Sequence, residues 1–166
     1  MIRKMEDFLS EWKYESESTL KLFSGISNES LHTKNHEDVR SMAFLAWHIT
    51  ITVSEMMNKA GIPVNGPDEH SKPPSKIEDI IAAYEHSSAS LINELPQKWT
   101  DANLTEDIEM YGDTWKKGTV LSVLIKHQAH HRGQLTILMR QAGLKVCGVY
   151  GPSKEEWAAW NMAAAD

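Results

Sequence analysis

The chain has 166 residues, enough for one ordinary domain, which at that size buries roughly two-thirds of the surface its unfolded form exposes. Seventeen basic against twenty-three acidic residues leave a net charge of −6 with no Lys/Arg run, which argues against nucleic acid or an anionic membrane as partner. Cys147 is the only cysteine, so an intrachain disulfide is excluded.

The start, MIRKMEDFLSEW, is charged and lacks a secretory apolar core, so a cytoplasmic protein is expected. No apolar run approaches the ~20 residues that a bilayer span needs. Ile2, Met5, Phe8, Leu9, Trp12, Thr19 and Phe23 fall broadly on one side, predicting a first helix over 2–23 that ends near Gly25. The connector 25–36 is polar. His32 and His36 within it stand four apart, but Thr33, Lys34 and Asn35 surround them, and both read as exposed loop histidines. A second helix is predicted over 37–60, with Met42, Ala46, Ile49, Val53, Met56 and Ala60 inward and Gly61 and Pro63 as its stop. His48 lies beside that stripe in the apolar run MAFLAWHIT, and Glu55 lies two turns on along the same face.

Residues 61–74, GIPVNGPDEHSKPP, hold four prolines and two glycines without periodicity and read as a linker. At up to ~3.3 Å per residue it can reach ~45 Å, longer than the ~30 Å of a 20-residue helix. Helices two and three can therefore lie parallel, which makes an up-down-down-up bundle feasible. Ser75 with Glu78 offers a capping box for the third helix, whose stripe is Ile77, Ile80, Ile81, Tyr84, Ser88, Leu91 and Leu95 and which Pro96 closes. His86 falls off the stripe and reads as exposed. In 97–116, Leu104, Ile108 and Met110 alternate partially, and Gly112–Asp113 between Tyr111 and Trp115 is placed to turn a small hairpin.

In 117–143, Val120, Leu124, His127, His131, Leu135, Leu138 and Ala142 recur at intervals of three or four, one inward stripe. Gly143 is placed for a left-handed cap. Ser153 with Glu156 then opens a short last helix in which Trp157 and Trp160 pack on the bundle. The fold class expected is all-α, a four-helix bundle forming a single domain over 1–166.

Two positions of the aliphatic fourth stripe are imidazoles one turn apart on one face. Buried rings with polar nitrogens are costly unless satisfied, and an i, i+4 histidine pair can meet one metal ion, as in HExxH helices. Gln128 follows the first histidine where the protease motif has glutamate, so a zincin is the wrong reading. His48, taken alone a hydrogen-bonded core histidine, becomes a candidate third ligand beside such a pair.

The run His127-Gln-Ala-His-His131-Arg132-Gly133-Gln134, then LMRQAGLK and VYGPSKEEW, resembles the DinB-like (DinB/YfiT) superfamily of metal-dependent enzymes. The likeness extends to the isolated histidine of AWHI and to Trp115, and so covers most of the chain. The H-x-x-x-H-R-G-Q segment with the distant histidine is its specific part. The resemblance implies a four-helix bundle in which His48, His127 and His131 hold a divalent metal, with His130 in a place usually held by a non-ligand. Lys126 and Gln128 flank His127 where relatives often carry other polar groups. It also implies a homodimer, for which the sequence itself offers only surplus tryptophans. The family name refers to DNA-damage induction, for which the negative charge gives no support in DNA binding.

Three neutral ligands leave an ion its full charge and at least one open position, able to lower the pKa of a coordinated water to around 7 or to deprotonate a thiol. Imidazoles suit zinc, nickel, copper or iron, with zinc or nickel favoured by availability and affinity. Members of the resembled superfamily include transferases and isomerases using small thiols such as bacillithiol, mycothiol or glutathione. The implied activity is thus a thiol S-transferase or a hydrolase acting on a small electrophilic molecule. The competitor is a non-catalytic dimeric metal-binding or stress-related bundle. Among the other residues, Glu55 reads as a helix-face charge, with orientation of His48 or base chemistry as alternatives. Arg132 should point about a hundred degrees from the metal and form a structural salt bridge at a helix or subunit interface. Mid-helix Gly133 suggests a close helix crossing, across which Gln134 hydrogen-bonds. Cys147 reads as a packing residue, and Trp47 and Trp115 as core packing or pocket walls.

Overall fold

The computed structural model describes residues 1–161 and 163. Four helices dominate it: α1 Met5–Phe23, α2 Met42–Lys59, α3 Ile77–Lys98 and α4 Lys117–Gln141, with strands β1 Asp107–Met110 and β2 Asp113–Lys116 paired antiparallel before α4. Short 3₁₀ turns occupy Asn28–His32, Asp101–Thr105 and Trp157–Trp160; the first two were not expected from the sequence. The last is the expected C-terminal helix, one turn long, in which Trp157 is half-buried. The side chain of Trp160 lies outside the described residues.

Helix ends are where the structure departs from local pattern, and long-range capping is the main reason. α1 begins at Met5 rather than residue 2, and the Met5 amide donates to the carboxylate of Asp101, 96 residues away (2.7 Å). α2 begins at Met42 rather than 37, because Ser41 is its N-cap and accepts from the Phe44 amide (3.2 Å). The Ser75–Glu78 capping box does not form. Instead Asn28 accepts from the Ile77 amide (2.7 Å) and donates to Glu78 (3.2 Å), so a distant side chain wins the cap. Pro96 does not close α3 either. Its missing N–H removes a single i→i−4 bond, and the Trp99 amide still reaches the Leu95 carbonyl (2.9 Å), so the helix runs on to Lys98. The hairpin turns one residue earlier than expected, at Tyr111 (φ 54°) and Gly112 (φ 83°), the two positive-φ positions of a type I′ turn.

Cross-helix contacts set the topology. Ile2 N donates to Gly118 O (2.9 Å) at one end, and Arg132 meets Glu15 and Thr19 further along, so α1 and α4 are parallel. Trp12 donates to Ser88 (3.0 Å) while Met5 meets Asp101 and the Phe23 ring meets Tyr84, so α3 is antiparallel to α1. The 61–74 segment runs back along α2: Asn58 brackets the Val64 backbone, Ser54 reaches Pro67 O, and Trp47 donates to Ser71 O (3.0 Å). α3 therefore starts beside the start of α2 and lies parallel to it, completing the up-down-down-up order.

That linker is more than a spacer, since Ile62 and Val64 are buried in the common core. Gly66 threads it between α2 and α3, where a Cβ would collide with the Ser54 and Ser87 side chains. Each such large apolar side chain contributes about 1.5–3 kcal/mol on burial, so Trp12, Tyr84, Ile49, Met57, Ile80 and Leu91, all fully buried, hold the helices in register. Gly143 takes φ 73° after α4, the left-handed cap expected. Among the described residues no helix is long and apolar enough to cross a membrane.

Candidate metal centre

The antiparallel contact of α2 with α4 brings the three expected histidines together. Nε2 of His127 lies 3.2 Å from Nε2 of His48 and 3.1 Å from Nε2 of His131. One ring nitrogen from each of the three lies within 4.8 Å of the others. An ion with metal–nitrogen bonds of ~2.0–2.1 Å holds adjacent nitrogens ~3.3 Å apart in tetrahedral geometry and ~2.9 Å apart at octahedral angles. The observed separations fall between these. Each neutral imidazole has one N–H and one lone pair, so His127 Nε2 can serve only one of its two neighbours by hydrogen bonding. A cation would accept all three lone pairs at once. The residues present therefore fit a metal ion.

Burial keeps the cluster neutral and ready to ligate. His48 is pushed down to about 4, first by burial and then by the neighbouring His131 and Arg40. His127 is also pushed down to about 4, again by burial first, then by His131, His48, His130 and Arg40. His131 is lowered by burial, with its bond to Gln134 opposing the shift. Gln134 Oε1 accepts from His131 Nδ1 at 2.8 Å, which turns the Nε2 lone pair toward the other two rings. Its amide nitrogen donates to His130 (3.1 Å). Among the described residues, His127 Nδ1 is buried without a hydrogen-bond partner, and none of them supplies an acceptor that fixes the tautomer of that ring.

Two buried braces hold α4 in rotation and register. Gln128, fully buried, donates to the Ile49 carbonyl (3.0 Å) and accepts from the Tyr84 hydroxyl (3.1 Å). It thereby ties the residue after His127 to the residue after His48. On the opposite side Arg132 donates to the Glu15 carboxylate, to the Glu15 carbonyl (2.7 Å), to Thr19 Oγ1 (3.0 Å) and to the Tyr150 hydroxyl (2.7 Å). Tyr150 in turn donates to Glu15 (2.8 Å); burial and that carboxylate push its phenol up to about 12. A cleft of about 540 Å³ opens beside the centre, bordered by His131, Gln134 and Arg40.

The DinB family model matches residues 1–162. This chain belongs to the DinB family. Among relatives, YrdA of Bacillus subtilis (strain 168), described as an uncharacterized protein, is 35% identical over 164 residues, covering 99% of this chain and 98% of its own. A DinB-like protein from Bacillus cereus ATCC 10987 has a solved structure that superposes with a TM-score of 0.86 at 35% identity, over 90% of this chain and all of that one. The DinB-like protein YjoA of Bacillus subtilis superposes at 0.68 with 20% identity, over 89% and 99% of the two chains, a likeness of fold alone.

Within this DinB-family bundle the other singled-out residues take varied places. Gly133 marks no helix crossing: among the described residues a Cβ there would meet nothing within 4 Å, because the residue faces outward. Gln134 accordingly bonds to histidines of its own helix instead of reaching across. Glu55 does not orient His48; its carboxylate accepts from the Tyr111 hydroxyl (2.8 Å) and so holds the hairpin tip against α2. Trp47 is buried with its indole on Ser71, and Trp115 packs half-buried against the core. Cys147 is a half-buried packing residue whose thiol burial pushes up. His32, His36 and His86 are exposed, as is His130. Glu15 was missed by sequence reasoning, yet it was legible: it sits three residues after Trp12 and four before Thr19, on the inward stripe itself.

Proposed function

We propose that this DinB-family protein is a metal-dependent enzyme in which His48, His127 and His131 hold one divalent ion, zinc or nickel, and serve reaction of a small thiol or water with a small electrophile. The convergence of three Nε2 atoms from two helices carries the reading. When bound, such an ion supplies Lewis acidity toward a thiol or water in its open positions. The chain's own groups do the rest. The histidines stay unprotonated at neutral pH, Gln134 aims His131, and Gln128 fixes the separation of α2 and α4. The half-buried setting of His48 and His127, with a cleft alongside, leaves room for a reactant. We assign a low-molecular-weight thiol S-transferase as the first activity to test and a hydrolase as the second, in a cytoplasmic homodimer.

Metal analysis of purified protein, before and after incubation with zinc or nickel, tests the first step. One ion per chain, lost in His48→Ala and His127→Ala, is expected. Protein that stays metal-free and whose melting is unmoved by either ion would overturn the proposal. The loaded protein is then assayed with several thiols and a chloronitrobenzene, against ester and amide substrates. Thiol-dependent turnover supports the transferase, and cleavage without any thiol turnover reverses the preference.

A further inference from the structure

The cleft beside His131 has a lining that the metal centre does not explain. Val39 and Ile137, 40% and 55% exposed, both face it, with Leu45 and Leu138 alongside. Arg40 stands at the same cleft, just before the N-cap of α2, where the positive end of the helix dipole adds to its charge. Its guanidinium lies 5.0 Å from the Phe44 ring centroid, and the Phe44 ring stacks in turn on His48 at 6.1 Å. Arg40, Phe44 and His48 thus succeed one another at four-residue steps, a row leading from the cation to the histidine cluster. Among the described residues Arg40 has no ion-pair partner. Asp38, the carboxylate of the cleft, lies 3.5 Å from His36 and is 85% exposed.

A planar, permanently charged fork matches a carboxylate through two parallel hydrogen bonds. Exposed aliphatic side chains gain by covering an apolar chain. We infer that this cleft binds a small amphipathic carboxylate, its anionic head on Arg40 and its apolar body over Val39, Ile137 and Leu138 at the edge of the three-histidine centre. As a statement about substrate or cofactor class this rests on the metal-enzyme reading; as a statement about binding it does not.

Isothermal titration of octanoate and octanamide into the purified protein, metal-free and zinc-loaded, tests it. Octanoate is expected to bind in both forms. Arg40→Gln should weaken it about ten- to hundredfold, and Arg40→Lys should fall between the two. Octanamide should bind more weakly and ignore Arg40→Gln. Because Arg40 is exposed, both variants should melt with the wild type, which a thermal scan checks. Equal affinity for acid and amide would overturn the inference, as would octanoate binding that Arg40→Gln leaves unchanged. Binding confined to zinc-loaded protein and indifferent to Arg40 would place the carboxylate on the metal and also overturn it. So would an absence of binding in a protein whose dimer Ile137→Ser dissociates, since a second copy then covers the cleft. Arg40-dependent binding in a protein that takes up no metal would sustain the cleft and sink the enzyme reading; a metal-loaded protein without such binding would do the reverse.

Discussion

Replacing Arg132 with methionine isolates the brace on the outer side of α4. Arg132 and Glu15 are 2% and 3% exposed, and the guanidinium serves the Glu15 carboxylate and carbonyl, Thr19 and Tyr150. Methionine fills much of the same volume but leaves the Glu15 charge buried with Tyr150 as its remaining partner. Removing one member of a buried pair costs about 3–5 kcal/mol. For a chain of this size each kcal/mol moves the melting temperature by about 2–4 °C, so Arg132→Met should melt about 6–20 °C below the wild type. The double variant Glu15→Gln/Arg132→Met should recover at least half of that loss, because a neutral amide needs only hydrogen bonds. Gln128 still ties α4 to α2, so Arg132→Met should bind the same number of metal ions at low temperature. Thermal melting by circular dichroism measures both variants. A loss below about 1 kcal/mol in Arg132→Met, or a double variant less stable than the single, would refute the reasoning.

Gln134→Leu removes the acceptor on His131 Nδ1 and should weaken metal binding about 10- to 100-fold in a chelator competition, with the metal-free melting temperature unchanged. Gly133→Ala should stabilise the protein by up to about 1 kcal/mol, read as a small rise in melting temperature, because a Cβ there meets nothing within 4 Å. His48 and His127 are near 4 in the folded protein and near 6.5 when unfolded, so the unfolded chain binds more protons between those values. Metal-free stability should therefore be full above about pH 6.5 and fall as pH drops toward 4. Urea midpoints at pH 7, 6 and 5 should show that slope, flattened in His127→Ala; equal slopes in the two proteins would count against the burial argument.

The sequence carried the bundle and its histidines because both rest on periodicity. A four-residue step between His127 and His131 fixes a common face whatever surrounds the helix, and the length of 61–74 permitted the parallel α2 and α3 that its contacts with Asn58, Ser54 and Trp47 realise. What stayed hidden depends on neighbours from other segments. Asn28 outcompetes Ser75 at the start of α3, and Asp101 caps α1 from 96 residues further along the chain. Gln128 and Arg132 belong to a second buried stripe of α4, with Leu121, Ile125, Leu135 and Met139. That stripe was masked because reading only the histidine face left both residues among the polar positions. Gly133 misled for a related reason, since its cost in a helix says nothing about which side it faces.

X-ray absorption at the metal edge, on protein loaded with zinc or nickel, tests the central claim most directly. The expected spectrum has a first shell containing three imidazole nitrogens at ~2.0–2.1 Å, reduced to two and to weak binding in His48→Ala. A shell of oxygen donors alone, or a spectrum that His48→Ala and His127→Ala leave unchanged, would contradict it.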